Sequence, residues 1–189
     1  LADTEPDRLA ELIDLWWQEA KTHGVLPLDE RRLELFIPRI GDHEVHRPDR
    51  RYTYRPPMTP IPTRTAASLT DSVVDITARV TRAADDDGVL IATGNQNAGC
   101  SVFVQNGRLV VDYNAFDDHT IIESDIEVPA GDCTLAVHLE REGATGWVEL
   151  SIDGQACGRE TIPLYLVTFT SVGASVGEDH GSAVSGRYS

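Results

Sequence analysis

The sequence predicts a mainly β fold: an antiparallel β-sandwich preceded by one amphipathic helix and a proline-rich connector. Three observations predict it. From Val73 onward apolar residues recur with period two, the repeat of strands that lay one face on a core. Asn106-Gly107 and Asp153-Gly154 separate such runs with the residue pairs that favour two-residue hairpin turns. No stretch beyond residue 69 carries the 3.6-residue repeat of a helix. Eight or so short strands joined by tight turns make a sandwich.

The helix comes first. Leu9, Leu12, Ile13, Trp16, Trp17 and Ala20 follow the spacing of one helical face. Thr4 and Asp7 stand three apart with Pro6 between them, a pattern that starts helices. Lys21 and His23 suit the negative end of the dipole, and Gly24 suits a left-handed cap. A helix is therefore predicted over about 6–23. Two adjacent tryptophans are more apolar surface than a lone helix hides, so this face is expected to pack on a partner surface, and Leu9–Ala20 offers a face for self-association.

Residues 1–28 form this helix and its exit loop. Residues 29–68 read as an extended connector, because Pro38, Pro48, Pro56, Pro57, Pro60 and Pro62 forbid a regular helix. Leu33 to Ile37, with Ile40, is compatible with one helical turn or a strand. Residues 69–189 hold the strand runs: Val73–Val80, Val89–Ala92, Cys100–Val104, Leu109–Tyr113, Ile121–Val128, Thr134–Leu139, Trp147–Ile152 and Leu166–Val176. Asp85-Asp86-Asp87-Gly88 is a charged loop of the same turn chemistry.

Charge excludes one class of partner. The net charge of −15 is uneven: residues 1–64 hold 12 acids and 10 bases, residues 65–189 hold 19 acids and 6 bases. A domain so acidic lacks the clustered cations that phosphate backbones need, so no nucleic-acid partner is expected. No apolar run reaches the roughly 18–20 residues of a membrane span, so no membrane partner is expected either. Cys100, Cys133 and Cys157 are odd in number, widely spaced and without C-x-x-C spacing. They read as small buried groups in a reducing compartment, which favours the cytoplasm.

Each candidate site has two readings. Asp85, Asp86 and Asp87 offer hard oxygen ligands for calcium, or form a solvated turn. Asp117, Asp118 and His119 supply ligands or an acid–base group, or again a turn. His43, Glu44 and His46, preceded by His23, would need a further ligand to hold zinc, and none is evident. Arg47, Arg50, Arg51 and Arg55 form the only basic cluster, suited to an anion or to docking on acidic protein surface. Trp147 and Tyr113 would stack on a sugar ring from an exposed sheet face; flanking apolar positions favour the core for both. Trp16 and Trp17 read as packing residues. No G-x-S-x-G elbow supports a serine nucleophile. Hence no residue of this chain is assigned a catalytic, cofactor-binding or metal-binding role.

Several segments carry a family likeness. Leu15-Trp16-Trp17, Glu19-Ala20 and Val25-Leu26-Pro27-Leu28-Asp29 resemble the late part of bacterial arylsulfatases of the alkaline-phosphatase-like superfamily. Arg51-Tyr52-Thr53-Tyr54 and Pro60-Ile61-Pro62 are similar to that family's extended connector. Ser171-Val172-Gly173-Ala174-Ser175-Val176-Gly177 and Gly181-Ser182-Ala183-Val184 are similar to its tail, with Ser175 and Ala183 where the family usually has Asp and Pro. The run from Gly99 to Asn114, followed by Val148–Gly154, resembles concanavalin/laminin-G-type jelly rolls, and the likeness implies that a last strand is missing. The family's reaction is sulfate-ester hydrolysis, with a formylglycine made from the Cys or Ser of C/S-x-P-x-R and a divalent cation, calcium or magnesium. None of the three cysteines here is followed by x-Pro-x-Arg, and no Ser starts that pattern. The resemblance therefore implies the C-terminal, non-catalytic part of a sulfuric ester hydrolase, inactive alone, with the parent's catalytic domain as its partner. A small sulfate ester would be met only through that parent. The alternative is a free-standing, lectin-like carbohydrate-binding module.

Overall fold

A computed structural model of the chain describes residues 4–25, 50–56, 58–169 and 172–188. Two units are distinguished, Leu1–Arg50 and Arg51–Ser189.

In the first unit, helix α1 spans Pro6–Thr22. Pro6 opens it, where a missing N–H costs nothing. The N-cap is Glu5, and its side chain makes no capping bond, so the Thr4/Asp7 start expected from sequence lies one residue off. Gly24 takes the expected left-handed conformation at φ +65°, and the Val25 N–H returns to the Ala20 carbonyl. Trp16 and Trp17 meet edge to face at 4.8 Å and are about half exposed. Leu33–Ile37 and the first half of the connector lie outside the described residues.

The second unit is the predicted sandwich. Its strands are β1 (Met58–Ile61), β2 (Val73–Arg82), β3 (Gly88–Asn95), β4 (Ala98–Gln105), β5 (Arg108–Ala115), β6 (Asp118–Glu123), β7 (Gly131–Glu142), β8 (Thr145–Ile152), β9 (Gln155–Ile162) and β10 (Ala174–Val176). They form a six-stranded sheet, β1-β10-β3-β4-β5-β6, and a four-stranded sheet, β2-β7-β8-β9, with every neighbouring pair antiparallel. Both hairpin signals are realised. Asn106 and Gly107 turn β4 into β5, and Asp153 and Gly154 turn β8 into β9, all four with positive φ.

The core lies between the sheets. Val102, Leu109, Val111 and Tyr113 on one side meet Leu135, Leu139, Val148 and Leu150 on the other, all at most 1 % exposed. Tyr113 and Tyr165 sit 5.2 Å apart, and the Leu166 N–H donates to the Tyr113 hydroxyl at 2.8 Å. That bond satisfies a phenol placed in an apolar interior.

Three elements differ from the sequence reading. Met58–Ile61, inside the expected connector, is a strand paired with β10. It holds Pro60, which an edge strand tolerates because one side of its backbone needs no ladder partner. Gln155–Ile162 was not among the expected runs; a bulge near Leu150/Ser151 breaks its alternation and leaves Cys157 and Ile162 as its buried apolar residues. Among the described residues of the run expected over Leu166–Val176, only Ala174–Val176 is strand.

Candidate functional sites on the two outer sheet faces

The outer face of the six-stranded sheet is covered. One cross-strand row runs Ser175–Ala92–Ser101–Asp112–Ile121 through β10, β3, β4, β5 and β6. Ser101 is fully buried and Asp112 is 1 % exposed, because residues 177–188 pass over them. Tyr188 packs edge to face on Phe103 at 4.8 Å, and Val184 lies against Gly99. Arg187 forms an ion pair with Glu123 and exchanges bonds with Gln105, donating from Nε to Oε1 and accepting from Nε2 at its carbonyl. Asp179 holds the segment's own shape, accepting from the Val184 N–H and the Tyr188 hydroxyl. Burial pushes the Tyr188 phenol well up, so it stays a hydrogen-bond donor.

Beneath this cover Asp112 Oδ1 meets His119 Nδ1 at 2.8 Å, while Asp112 Oδ2 and Ser101 Oγ have no hydrogen-bond partner among the described residues. Asn114, fully buried, donates to the Gln96 carbonyl and accepts from the Asp117 N–H. These three buried polar residues were missed. The signal was present: Asp112 interrupts the apolar run Leu109–Tyr113, but alternation alone places it on a face that reads as solvated.

The outer face of the four-stranded sheet is open. Asp75, His138, Glu149 and Arg159 form one cross-strand row over β2, β7, β8 and β9. Trp147 points to this face, contrary to the expectation that it joins the core. Its neighbours Gly146 and Val148 occupy the buried side, so alternation from the true core residues sends the indole outward. The Arg159 guanidinium sits with its Cζ 3.9 Å over the ring centroid, and the His138 ring is 4.8 Å away at 34°. Its Nε1 donates to Glu142 Oε1 at 3.3 Å. His138 Nδ1 meets Asp75 Oδ1 at 2.7 Å, and its Nε2 meets Glu140 Oε2 at 3.4 Å. Partial burial works against the imidazolium, yet those two hydrogen bonds outweigh it and raise the His138 pKa.

The other sequence candidates disperse. Asp86 Oδ2 accepts the Ala83 N–H and Asp87 Oδ2 the Asn106 N–H, so two of the three loop carboxylates cap backbone. Asp117 Oδ1 lies 4.0 Å from His119 Nε2. His23 pairs with Glu19, both exposed, while His43, Glu44, His46 and Arg47 lie outside the described residues. Arg51 and Arg55 are exposed. Tyr113 is in the core, as expected. Cys100, Cys133 and Cys157 are buried in β4, β7 and β9, and burial raises each thiol, which suppresses the reactive thiolate. Among the described residues no three His, Cys, Asp or Glu side chains gather as a metal site. No helix among them is long and apolar enough to cross a membrane.

No protein-family model matches the chain, and no curated protein matches it. Solved structures similar to it include the CBM40 of the Ruminococcus gnavus IT-sialidase bound to α2,6 sialyllactose, at 13 % identity, TM-score 0.43, over 59 % of this chain and 68 % of that one. A heptameric SAP-like pentraxin from Limulus polyphemus matches at 18 % identity, TM-score 0.40, over 62 % of this chain and 57 % of that one. The same CBM40 in a second structure gives 14 % identity and TM-score 0.38, over 59 % of this chain and 67 % of that one.

Proposed function

We propose that this chain is the C-terminal, non-catalytic part of an arylsulfatase-type sulfuric ester hydrolase, whose sandwich stabilises or shapes the parent enzyme. What supports this reading most is the position of the segments that carry the resemblance. Pro60-Ile61 of the connector lies in β1, and Ala174–Val176 of the tail is β10; these strands, far apart in sequence, pair antiparallel. Gly173 lies so close to the Ile61 carbonyl that a side chain there would collide with it, and Gly177 abuts Pro56. Gly181–Val184 continues directly into the cover over the six-stranded sheet. Two of the segments that carry the resemblance, connector and tail, thus meet at one sheet edge.

The groups that sulfate-ester hydrolysis needs do not fit the residues here. The three thiols are buried within strands, outside any C-x-P-x-R pattern, and the described carboxylates and imidazoles do not converge on a cation. In this reading both the formylglycine and the metal belong to the parent's catalytic domain, and the chain alone does not turn over sulfate esters. The native protein tests it: captured with an antibody to the sandwich, it should yield an upstream C/S-x-P-x-R peptide carrying formylglycine. A native chain that begins near Leu1 and lacks that peptide sinks the proposal.

A second reading is a carbohydrate-binding module, favoured by the outward indole of Trp147 on an open face with His138, Glu149 and Arg159 beside it. Arg159 already lies over the ring, so stacking on a sugar there requires it to swing aside. Glycan-array binding that disappears in Trp147→Ala would favour this reading; no binding to any glycan would remove it.

A further inference from the structure

We propose that β2 is a dimerisation edge, along which a second copy of this chain adds its own β2 antiparallel to form an eight-stranded sheet. The inference stands apart from either reading of function. β2 runs ten residues in unbroken register along β7, without a bulge, and closes one edge of the four-stranded sheet. Beyond it no strand follows among the described residues. It holds neither proline nor bulge, and its inward row is Val74, Ile76, Ala78 and Val80, with the buried Arg82 only at its end. All four apolar residues are only partly buried, whereas their counterparts on β7, Cys133, Leu135, Val137 and Leu139, are buried. The core therefore thins toward this edge, as it would where a neighbouring strand completes it.

The sequence of the strand is complementary to itself. A two-fold axis through Thr77 sets Asp75 opposite Arg79 of the second copy, and Arg79 opposite its Asp75, on the outward face where all three residues are exposed. On the inward face the same axis sets Val74 against Val80 and Ile76 against Ala78. Moving the axis one residue along the strand, to Ile76 or Ala78, places Asp75 opposite Thr77 or Thr81 and loses both ion pairs. Setting the axis between two residues puts the two apolar rows on opposite faces of the joined sheet, so neither continues the other. One register alone satisfies both faces. Asp75 already meets His138 Nδ1 within its own sheet, and a carboxylate has capacity for both partners.

Sedimentation velocity of the full 189-residue chain across a wide concentration range tests the proposal. A dimer is expected, with Asp75→Arg and Arg79→Asp each weakening it on the order of tenfold, through two lost attractions and two like-charge contacts. The double variant Asp75→Arg/Arg79→Asp rebuilds both pairs with reversed polarity and should restore the affinity. Thr77→Cys should give a disulfide-linked dimer under mild oxidation, while Val73→Cys, opposite Thr81, should not. A monomer at every concentration overturns the proposal. So does a dimer that ignores both charge variants, fails to cross-link at Thr77 and dissociates in Trp16→Glu, which would place the contact on α1. Protection of the β2 amides by another polypeptide strand in the native protein, with no dimer, would assign the edge to that strand and equally overturn it.

Discussion

Phe116 shows how one residue's backbone can work against its side chain. It turns β5 into β6 with Asp117, and both have positive φ, 60° and 71°. The left-handed region costs a residue with a Cβ about 1–2 kcal/mol. Phe116 is 68 % exposed, so its ring repays little by burial. The turn persists because Asn114 Oδ1 accepts the Asp117 N–H at 2.8 Å from a fully buried side chain. Phe116→Gly should therefore raise the thermal midpoint, by the equivalent of about 1 kcal/mol after glycine's larger entropy loss. An unchanged or lower midpoint would mean that the ring makes a contact worth as much as the strain. A second residue points the other way. Arg82 is 8 % exposed and its guanidinium bonds only carbonyls: Val128 and Ala84 at 2.6 Å and Asp86 at 3.1 Å. Arg82→Ala strands those acceptors and should cost about 2–4 kcal/mol in urea unfolding.

At the scale of elements, the strands and turns were legible and the faces less so. Period two found β2, β4, β5, β7 and β8 because each lays alternate residues on one shared core. It missed β1, whose Pro60 is tolerated only at an edge, and β9, whose bulge breaks the alternation; edges and bulges are properties of the sheet rather than of the strand. It also misdirected Trp147, since a large aromatic flanked by apolar positions reads as core until the buried side of β8 is known. The row that Trp147 borders has a pH dependence. The His138 pKa is raised in the folded state, so its contribution to stability is fully present below the ordinary imidazole value of 6.5 and is lost as pH rises through the higher folded value. Urea midpoints should accordingly fall as pH rises from about 6.5 through that folded value. Asp75→Asn removes the 2.7 Å partner and should flatten that slope, leaving only the weaker hold of Glu140. An identical slope in the variant would show that Asp75 does not set the shift.

For the whole sandwich, the decisive feature is that residues 177–188 act as a third layer over one sheet. Sequence alone shows a glycine-rich tail with Tyr188 near its end, and nothing in its periodicity announces a cover. The same segment explains why Ser101, Asp112 and Asn114, polar residues at outward positions, are buried. Gly99 sets the separation between tail and sheet: a Cβ there would stand 2.5 Å from the Thr93 carbonyl oxygen and 2.8 Å from Val184 Cγ2. Gly99→Ala must therefore either strain the β3–β4 ladder or lift Val184, which is 1 % exposed and packed where a methyl group cannot enter. Overpacking of this kind costs about 1–3 kcal/mol. If the tail is integral to the fold, the unfolding midpoint should fall by that amount while the transition stays single and cooperative. If the tail is an independent flap, the midpoint should stay put and only protease cleavage within 177–188 should quicken. The first outcome is expected, because lifting the tail exposes Phe103 and breaks the Arg187–Glu123 and Asn114–Val184 contacts together, tying the polar layer's stability to that of the core beneath it.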